Sequence, residues 1–293
     1  MSTFTFVVNP ISGGIAKKGV VQLIGEYIKN AHSYEIEYTK YPGHATEIAR
    51  KSLARSIVAV GGDGTVCEVA KGILGTGKSM GIIPCGHGDA MALHIGISRD
   101  PIKAVRQLNS LHMVDIDYAT VNGEPFFASM GFGLSAMAAK NVNRQKKHGF
   151  MAYLSKAWQA FDGTVPEDYI ISVDGEEMEV TAPLLTVCNA NQWGDHAMIA
   201  PGASIRDGKL DLVAIRPFGK LSVPGILMRL RTGRIASYRK TLTLSGEHIQ
   251  IHRGKDGTVQ VDGDHIEMGK DLDIRCVKGG LKMIVPRKGR EDF

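Results

Sequence analysis

Hydrophobic and polar positions fall into two textures along this chain, and the change comes near residue 113. Before it, short apolar runs alternate with amphipathic stretches. Residues 5–8, 34–39, 57–60 and 81–83 read as strands, and runs rich in β-branched residues suit a sheet covered on both faces. Residues 20–30, 44–54 and 66–74 read as helices. In the last of these, Val66, Val69, Ala70, Ile73 and Leu74 share one face, the spacing of a helix with one buried stripe. Such alternation with short connections predicts a three-layer α/β domain with a parallel sheet, spanning residues 1–120. Ligands of open sheets of this kind sit beyond the carboxyl ends of the strands. Every suggestive loop in this half follows a strand.

After residue 113, valines, threonines and isoleucines alternate with polar residues, and the turn signals Asn122-Gly123 and Asp174-Gly175-Glu176 recur. This predicts an antiparallel β-sandwich over residues 121–280. A last strand at 281–285 is expected to return to the first domain, carrying residues 281–293 with it. Two stretches interrupt the β pattern. Residues 143–161 carry Arg144, Lys146, Lys147 and His148 ahead of Phe150, Met151, Tyr153, Leu154, Trp158 and Phe161. Residues 221–240 carry Leu221, Val223, Ile226, Leu227, Met228 and Leu230 among five Arg and Lys. Both read as amphipathic helices with cationic flanks. They suit either a packed helix with a solvated basic edge or peripheral contact with an anionic bilayer.

Bulk composition narrows the classes. At 293 residues the chain is long enough for two cores, and 43% hydrophobic with 22% charged residues is ordinary for a globular protein. A net charge of +5 suits an anionic surface or a phosphorylated substrate and is too small to argue for nucleic acid. No apolar run approaches the roughly 20 residues of a membrane helix. The opening MSTFTFVVNP lacks the basic region and apolar core of a signal peptide. Cys67, Cys85, Cys188 and Cys276 show no CxxC spacing, so free thiols in a reducing cytoplasm are expected.

The candidate chemistry centres on residues 57–68, IVAVGGDGTVCE. Four apolar residues are followed by Gly61, Gly62, Asp63, Gly64 and Thr65, then by the helical pattern. Glycines let backbone approach a ligand, and a helix start offers free N–H groups and partial positive charge to phosphate. Asp63 is at odds with that, since a bare carboxylate repels phosphate. A Mg²⁺ ion, or a hydroxyl awaiting deprotonation, resolves the conflict. A plain strand-to-helix turn capped by Asp63 explains the same residues.

GGDGT followed by Glu68 resembles the signature of the diacylglycerol kinase catalytic domain family, which includes bacterial lipid kinases and the sphingosine and ceramide kinases. NAD kinases and phosphofructokinases share the GGDG turn. Other stretches follow in family order. Asn9-Pro10-Ile11-Ser12-Gly13 is similar to NPxSG, and Thr39 falls where family members contact nucleotide; by resemblance Asn9, Pro10, Ser12, Gly13 and Thr39 are nucleotide-binding. Gly61, Gly62, Asp63, Gly64, Thr65 and Glu68 join them. So do Gly86, His87, Gly88 and Asp89 of Pro84-Cys85-Gly86-His87-Gly88-Asp89-Ala90-Met91-Ala92. That loop departs from the family's PxGTxNDFA. His87 replaces Thr, Asp89 replaces Asn and Ala90 replaces Asp, while Ala90-Met91-Ala92 leans toward sphingosine kinases. His87 can meet phosphate as a cation; alternatively His87 and Asp89 pair with each other.

In the second domain Asp117, with Asp115 as a rival for the same position, and Gly131 and Gly133 of Gly131-Phe132-Gly133 are placed by resemblance at the substrate cleft. Ser204-Ile205-Arg206-Asp207-Gly208-Lys209 resembles a stretch that holds a structural Mg²⁺, implying Asp207 with the carbonyls of Ser204 and Lys209; a hairpin turn explains it equally. Gln260-Val261-Asp262-Gly263-Asp264 resembles QxDGE, whose last residue is the proposed general base. Asp264 stands there, one methylene shorter than Glu. Asp63 is the other candidate base, and a hairpin turn is the plain explanation of the stretch.

The resemblance implies a two-domain enzyme with ATP and Mg²⁺ in a cleft. It would pass the γ-phosphate to a lipid hydroxyl at a membrane surface, with diacylglycerol or a related glycerolipid as acceptor. A sphingoid base is the alternative acceptor, although Ser135 lies near where sphingosine kinases carry an Asp. An NAD kinase-like enzyme and an inactive lipid- or nucleotide-binding protein are the further alternatives. A homodimer is left open.

Overall fold

A computed structural model describes residues 3–11, 17–29, 33–134 and 165–287. Ser12, Gly13, Ser135 and the basic stretch at 143–161 lie outside the described residues. The chain forms two compact units, Met1–Asp117 with Lys278–Phe293, and Tyr118–Val277.

The first unit alternates strand and helix: β1 (Phe4–Val8), α1 (Lys17–Tyr27), β2 (Tyr34–Tyr38), α2 (His44–Lys51), β3 (Ser56–Gly61), α3 (Asp63–Ile73) and β4 (Ser79–Pro84). Two further helices follow, α4 (Ala90–His94) and α5 (Pro101–Leu108). The strands run in the order β2-β1-β3-β4, all parallel. Strands β1, β3 and β4 are buried throughout, apart from the β2 edge, where Tyr34 and Tyr38 are exposed. Right-handed crossovers then assign the helices to faces. The path from β1 to β2 runs one way along the sheet, and the paths to β3 and β4 run the other. So α1 lies on one face and α2 with α3 on the other, which gives the three layers expected. α5 starts cleanly because Asp100 accepts N–H bonds from Ile102 and Lys103 and Pro101 opens the first turn.

The second unit holds two antiparallel sheets. One is β12-β11-β10-β7-β14-β15, built from Thr241–Gly246, Leu210–Ile215, Leu184–Cys188, Ser129–Gly133, Gly257–Val261 and Asp264–Met268. In the other, β16 (Asp271–Ile284) pairs with β13 (His248–Arg253), then β8 (Glu167–Val173) and β9 (Glu176–Ala182). The far end of β16 belongs to the first unit, where Lys282 and Met283 pair in parallel with Ser79 and Met80 of β4. β5 (Met113–Val121) turns into β6 (Glu124–Phe126). Phe126, Met130 and Phe132 meet Tyr169, Ile171, Ile249 and Ile251 in one core that draws on both sheets. Three Asx-Gly turns connect hairpins, at Asn122-Gly123, Asp174-Gly175 and Asp262-Gly263. In each, both residues have positive φ, the I′ geometry that matches strand twist.

A second core lies against the six-stranded sheet. α6 (Val223–Arg231) packs Val223, Ile226, Leu227 and Leu230 beside Leu184, Val213 and Ile215. The main apolar face of the helix at 221–240 is thus buried in protein, as the packed-helix reading expects.

Candidate active site

The strand order creates a specific place in the first unit. Connections leave β1 and β3 in opposite directions, and β1 and β3 are neighbours. A doubly wound sheet opens a crevice at such a reversal, at the carboxyl ends of the strands. Asn9 follows β1 there and Gly61–Thr65 follows β3. The Asn9 backbone N–H donates to the Val60 carbonyl at 3.1 Å, and its Nδ2 donates to Thr65 Oγ1 at 3.1 Å. Its Oδ1 accepts the Ile11 N–H at 3.0 Å. Asn9 thereby fixes both loops to each other, with Pro10 exposed beside it. Thr39, just past β2, donates its N–H to Val8 at 2.9 Å.

The loop after β4 closes on the glycine turn. Gly61 accepts the Cys85 N–H at 2.8 Å. A Cβ on Gly86 would lie 2.7 Å from the Gly62 Cα, so these two glycines allow a backbone-to-backbone contact. Gly64 is different: a Cβ there would meet nothing within 4 Å. Packing does not require its glycine.

Asp63 locks the two loops together. Its Oδ2 accepts the Asp89 N–H at 2.8 Å and its Oδ1 the Ala90 N–H at 2.7 Å. Burial pushes the Asp63 carboxyl above its usual range, against the opposing pull of these N–H groups and the charge of Arg99. Asp89 is 4% exposed and adopts a left-handed backbone at φ 51°. Its Oδ1 accepts the Gly86 N–H at 3.0 Å. Burial, and then the Asp63 charge, push its carboxyl to about 6. The ionic partner of Asp89 is Arg99, at 3.4 Å. Arg99 Nη2 also donates to the carbonyls of His87 at 2.7 Å and Gly88 at 2.8 Å. Arg99 is the functional candidate that sequence reading missed. The Asp100-Pro101 helix start fixes where it stands, but nothing in the sequence links it to the loop. His87 is exposed.

Two expected site residues also hold the fold together. Glu68 accepts the N–H groups of Gly43 at 2.9 Å and Ala45 at 3.1 Å, so it holds the start of α2. Asp117 is 3% exposed and its Oδ1 accepts the Gly279 N–H at 2.7 Å. It ties β5 to the returning strand. Its rival Asp115 is exposed, 4.0 Å from the Lys282 ammonium.

In the second unit the Asp262-Gly263 turn presents Asp264 as the exposed first residue of β15. Asp262 is the anchor. Its carboxylate accepts N–H bonds from Phe127, Ala128 and Ser129 at 2.8, 2.7 and 3.2 Å. Asn189, fully buried, grips the same loop through a 2.8 Å bond to the Phe127 carbonyl. Gly131 sits mid-strand opposite Thr186 and Gln260. Gly133, at φ 59°, takes a conformation that favours glycine.

The Asp207 stretch forms a tight turn, with the Lys209 N–H donating to Asp207 Oδ1 at 2.9 Å and the Arg206 N–H to Ser204 Oγ at 3.2 Å. Asp211 follows. Burial, then the Asp207 charge, push its carboxyl to about 6, while Lys209 opposes the shift. Crowded carboxylates beside turn carbonyls suit a hard cation. Among the described residues no group of three or more His, Cys, Asp and Glu side chains is gathered as a metal site. None of the four cysteines is in a disulfide. No helix among the described residues is long and apolar enough to cross a membrane.

Comparison with known proteins gives two family matches. The diacylglycerol kinase catalytic domain model matches residues 3–121, and the YegS C-terminal NAD kinase β-sandwich-like domain model matches residues 128–285. The chain is 29% identical over 260 residues to a Bacillus subtilis protein named diacylglycerol kinase, covering 85% of this chain and 81% of that one. A solved structure of a diacylglycerol kinase from Bacillus anthracis superposes with a TM-score of 0.77 at 20% identity, over 98% of this chain and 97% of that one. An NAD kinase from Archaeoglobus fulgidus in complex with ATP gives a TM-score of 0.55 at 14% identity, over 97% and 94%. At such identities the structural likenesses establish the fold alone.

Proposed function

Because this chain belongs to the diacylglycerol kinase catalytic domain family, a family of lipid kinases, we propose that it transfers the γ-phosphate of ATP to a lipid hydroxyl with Mg²⁺. Diacylglycerol or a related glycerolipid is the acceptor in this reading. The observation that carries it is the construction at the β1/β3 reversal. There Asn9, Thr65 and Asp63 hold two loops around the start of α3, and Gly64 leaves backbone bare where packing asks for no glycine. Bare N–H groups at a helix start suit phosphate oxygens.

Mg²⁺ supplies counter-charge and Lewis acidity to the phosphates when bound. Asp63 and Asp89 are the residues that would hold it, since burial raises both carboxyls, the Asp63 charge raises Asp89 further, and a cation would offset both effects. Asp264 is the proposed base: it is exposed, on a rigid turn, and free of the structural bonds that occupy Asp262 and Asp63. It takes the acceptor proton as the hydroxyl oxygen attacks phosphorus and ADP departs. The Ala90-Met91-Ala92 likeness to sphingosine kinases weighs little, because these residues are buried in α4 and serve packing.

The reading is tested by following labelled phosphate from ATP into diacylglycerol in detergent micelles. Transfer is expected with Mg²⁺, lost with chelator, and reduced at least a hundredfold in Asp264→Asn. Undiminished transfer by that variant would remove Asp264 from the base role; no transfer by the wild-type protein would count against the acceptor.

A further inference from the structure

Residues 212–246 contain seven Arg and Lys and no Asp or Glu. Three of the cations are occupied: Arg229 donates to the Gly225 carbonyl at 3.1 Å and lies over the Tyr238 ring, Lys240 donates to the Pro217 carbonyl, and Lys220 has a partner of its own. Arg216, Arg231, Arg234 and Arg239 are exposed and pair with no carboxylate among the described residues. Within the same stretch Leu221 is 90% exposed and Met228 52% exposed.

These positions are not scattered. Val223, Ile226, Leu227 and Leu230 fill the face of α6 that packs on the sheet. Pro224, Met228 and Arg231 are exposed along α6 and spaced by four and three residues, and Leu221 projects from the 3-10 turn just before it. That spacing is one side of a helix, the side away from the core. The fold gains nothing from leaving these apolar groups in water. Surfaces that only need solubility intersperse both signs of charge. Here one sign is missing for 35 residues, around two apolar projections.

We propose that this face is a docking surface for an anionic bilayer. Leu221 and Met228 enter the boundary between headgroups and acyl chains, while Arg231, Arg234 and Arg239 meet the anionic headgroups. A phosphate backbone would attract the same arginines but has no use for exposed Leu and Met. The choice of a bilayer rests on the lipid-kinase reading. Its test reads binding without turnover, so the two can fail separately.

The full chain is sedimented with vesicles of phosphatidylcholine alone, or with about a third phosphatidylglycerol, at low and high salt. Binding is expected only to the anionic vesicles and is expected to weaken with salt. The combined variant Arg231→Gln, Arg234→Gln, Arg239→Gln should partition on the order of 100-fold less. Leu221→Trp should show blue-shifted emission on anionic vesicles. Thermal melts matching the wild type establish that these surface variants fold. Equal partitioning of the triple variant and the wild type would overturn the proposal, as would an unshifted Trp. So would binding to duplex DNA, but not to vesicles, that the same arginines control.

Discussion

Asp63, Asp262 and Asp264 are carboxylates of glycine-flanked turns with three different environments. Asp262 accepts from three backbone N–H groups. Asp262→Ala leaves them without an acceptor and should cost about 2 kcal/mol in denaturant unfolding. Asp264 has no such duty, so Asp264→Asn should change stability by less than about 0.5 kcal/mol while losing turnover. A stability loss in Asp264→Asn equal to that of Asp262→Ala would make it a structural residue and weaken the base assignment. Asp89 adds a pH signature. Its folded carboxyl sits near 6 against 3.8 for the ordinary group, so the folded state binds the proton more tightly. Its contribution is complete below about pH 4 and is lost as pH rises through about 6. Asp89→Asn keeps an oxygen for the Gly86 N–H and should flatten that decline. Without Mg²⁺ it should be the more stable protein at neutral pH, by on the order of 1–2 kcal/mol, less whatever the lost Arg99 pairing costs. Melts across this pH range decide it, and a variant less stable than wild type at neutral pH would mean the Arg99 pairing dominates.

At the scale of elements, the alternation of strand and helix was legible because each period has a local cause. The three hairpin turns were legible because Asn-Gly and Asp-Gly are the dipeptides that tolerate two positive φ angles. The order β2-β1-β3-β4 was not, since no residue in β1 announces β3 as its neighbour. The structural bonds of Glu68 and Asp117 were hidden for the same reason. Their partners, Gly43 and Gly279, are backbone N–H groups 25 and 162 residues away. The glycine loops separate structure from chemistry. Gly86→Ala forces a Cβ to 2.7 Å from the Gly62 Cα and should destabilise by about 1–3 kcal/mol. Gly64→Ala meets open space, should melt like the wild type, and should weaken ATP binding about tenfold or more if bare backbone there meets phosphate. Calorimetric titration with Mg-ATP reads this directly; unchanged affinity in a folded Gly64→Ala would move the phosphate site elsewhere.

For the whole molecule, two units with different architectures carry separate parts of one motif series, and the family models divide the chain in nearly the same place. The glycine turn alone left a soluble dinucleotide and a lipid as rival acceptors, and the NPxSG-like and QxDGE-like stretches favoured the lipid. The most direct measurement is transfer of labelled phosphate from Mg-ATP to diacylglycerol, monoacylglycerol, sphingosine, ceramide and NAD, presented in parallel to the wild-type protein. Label in a glycerolipid, above the sphingoid acceptors and absent from NAD, is the predicted result. Label in NAD, with none in any lipid, would contradict the account.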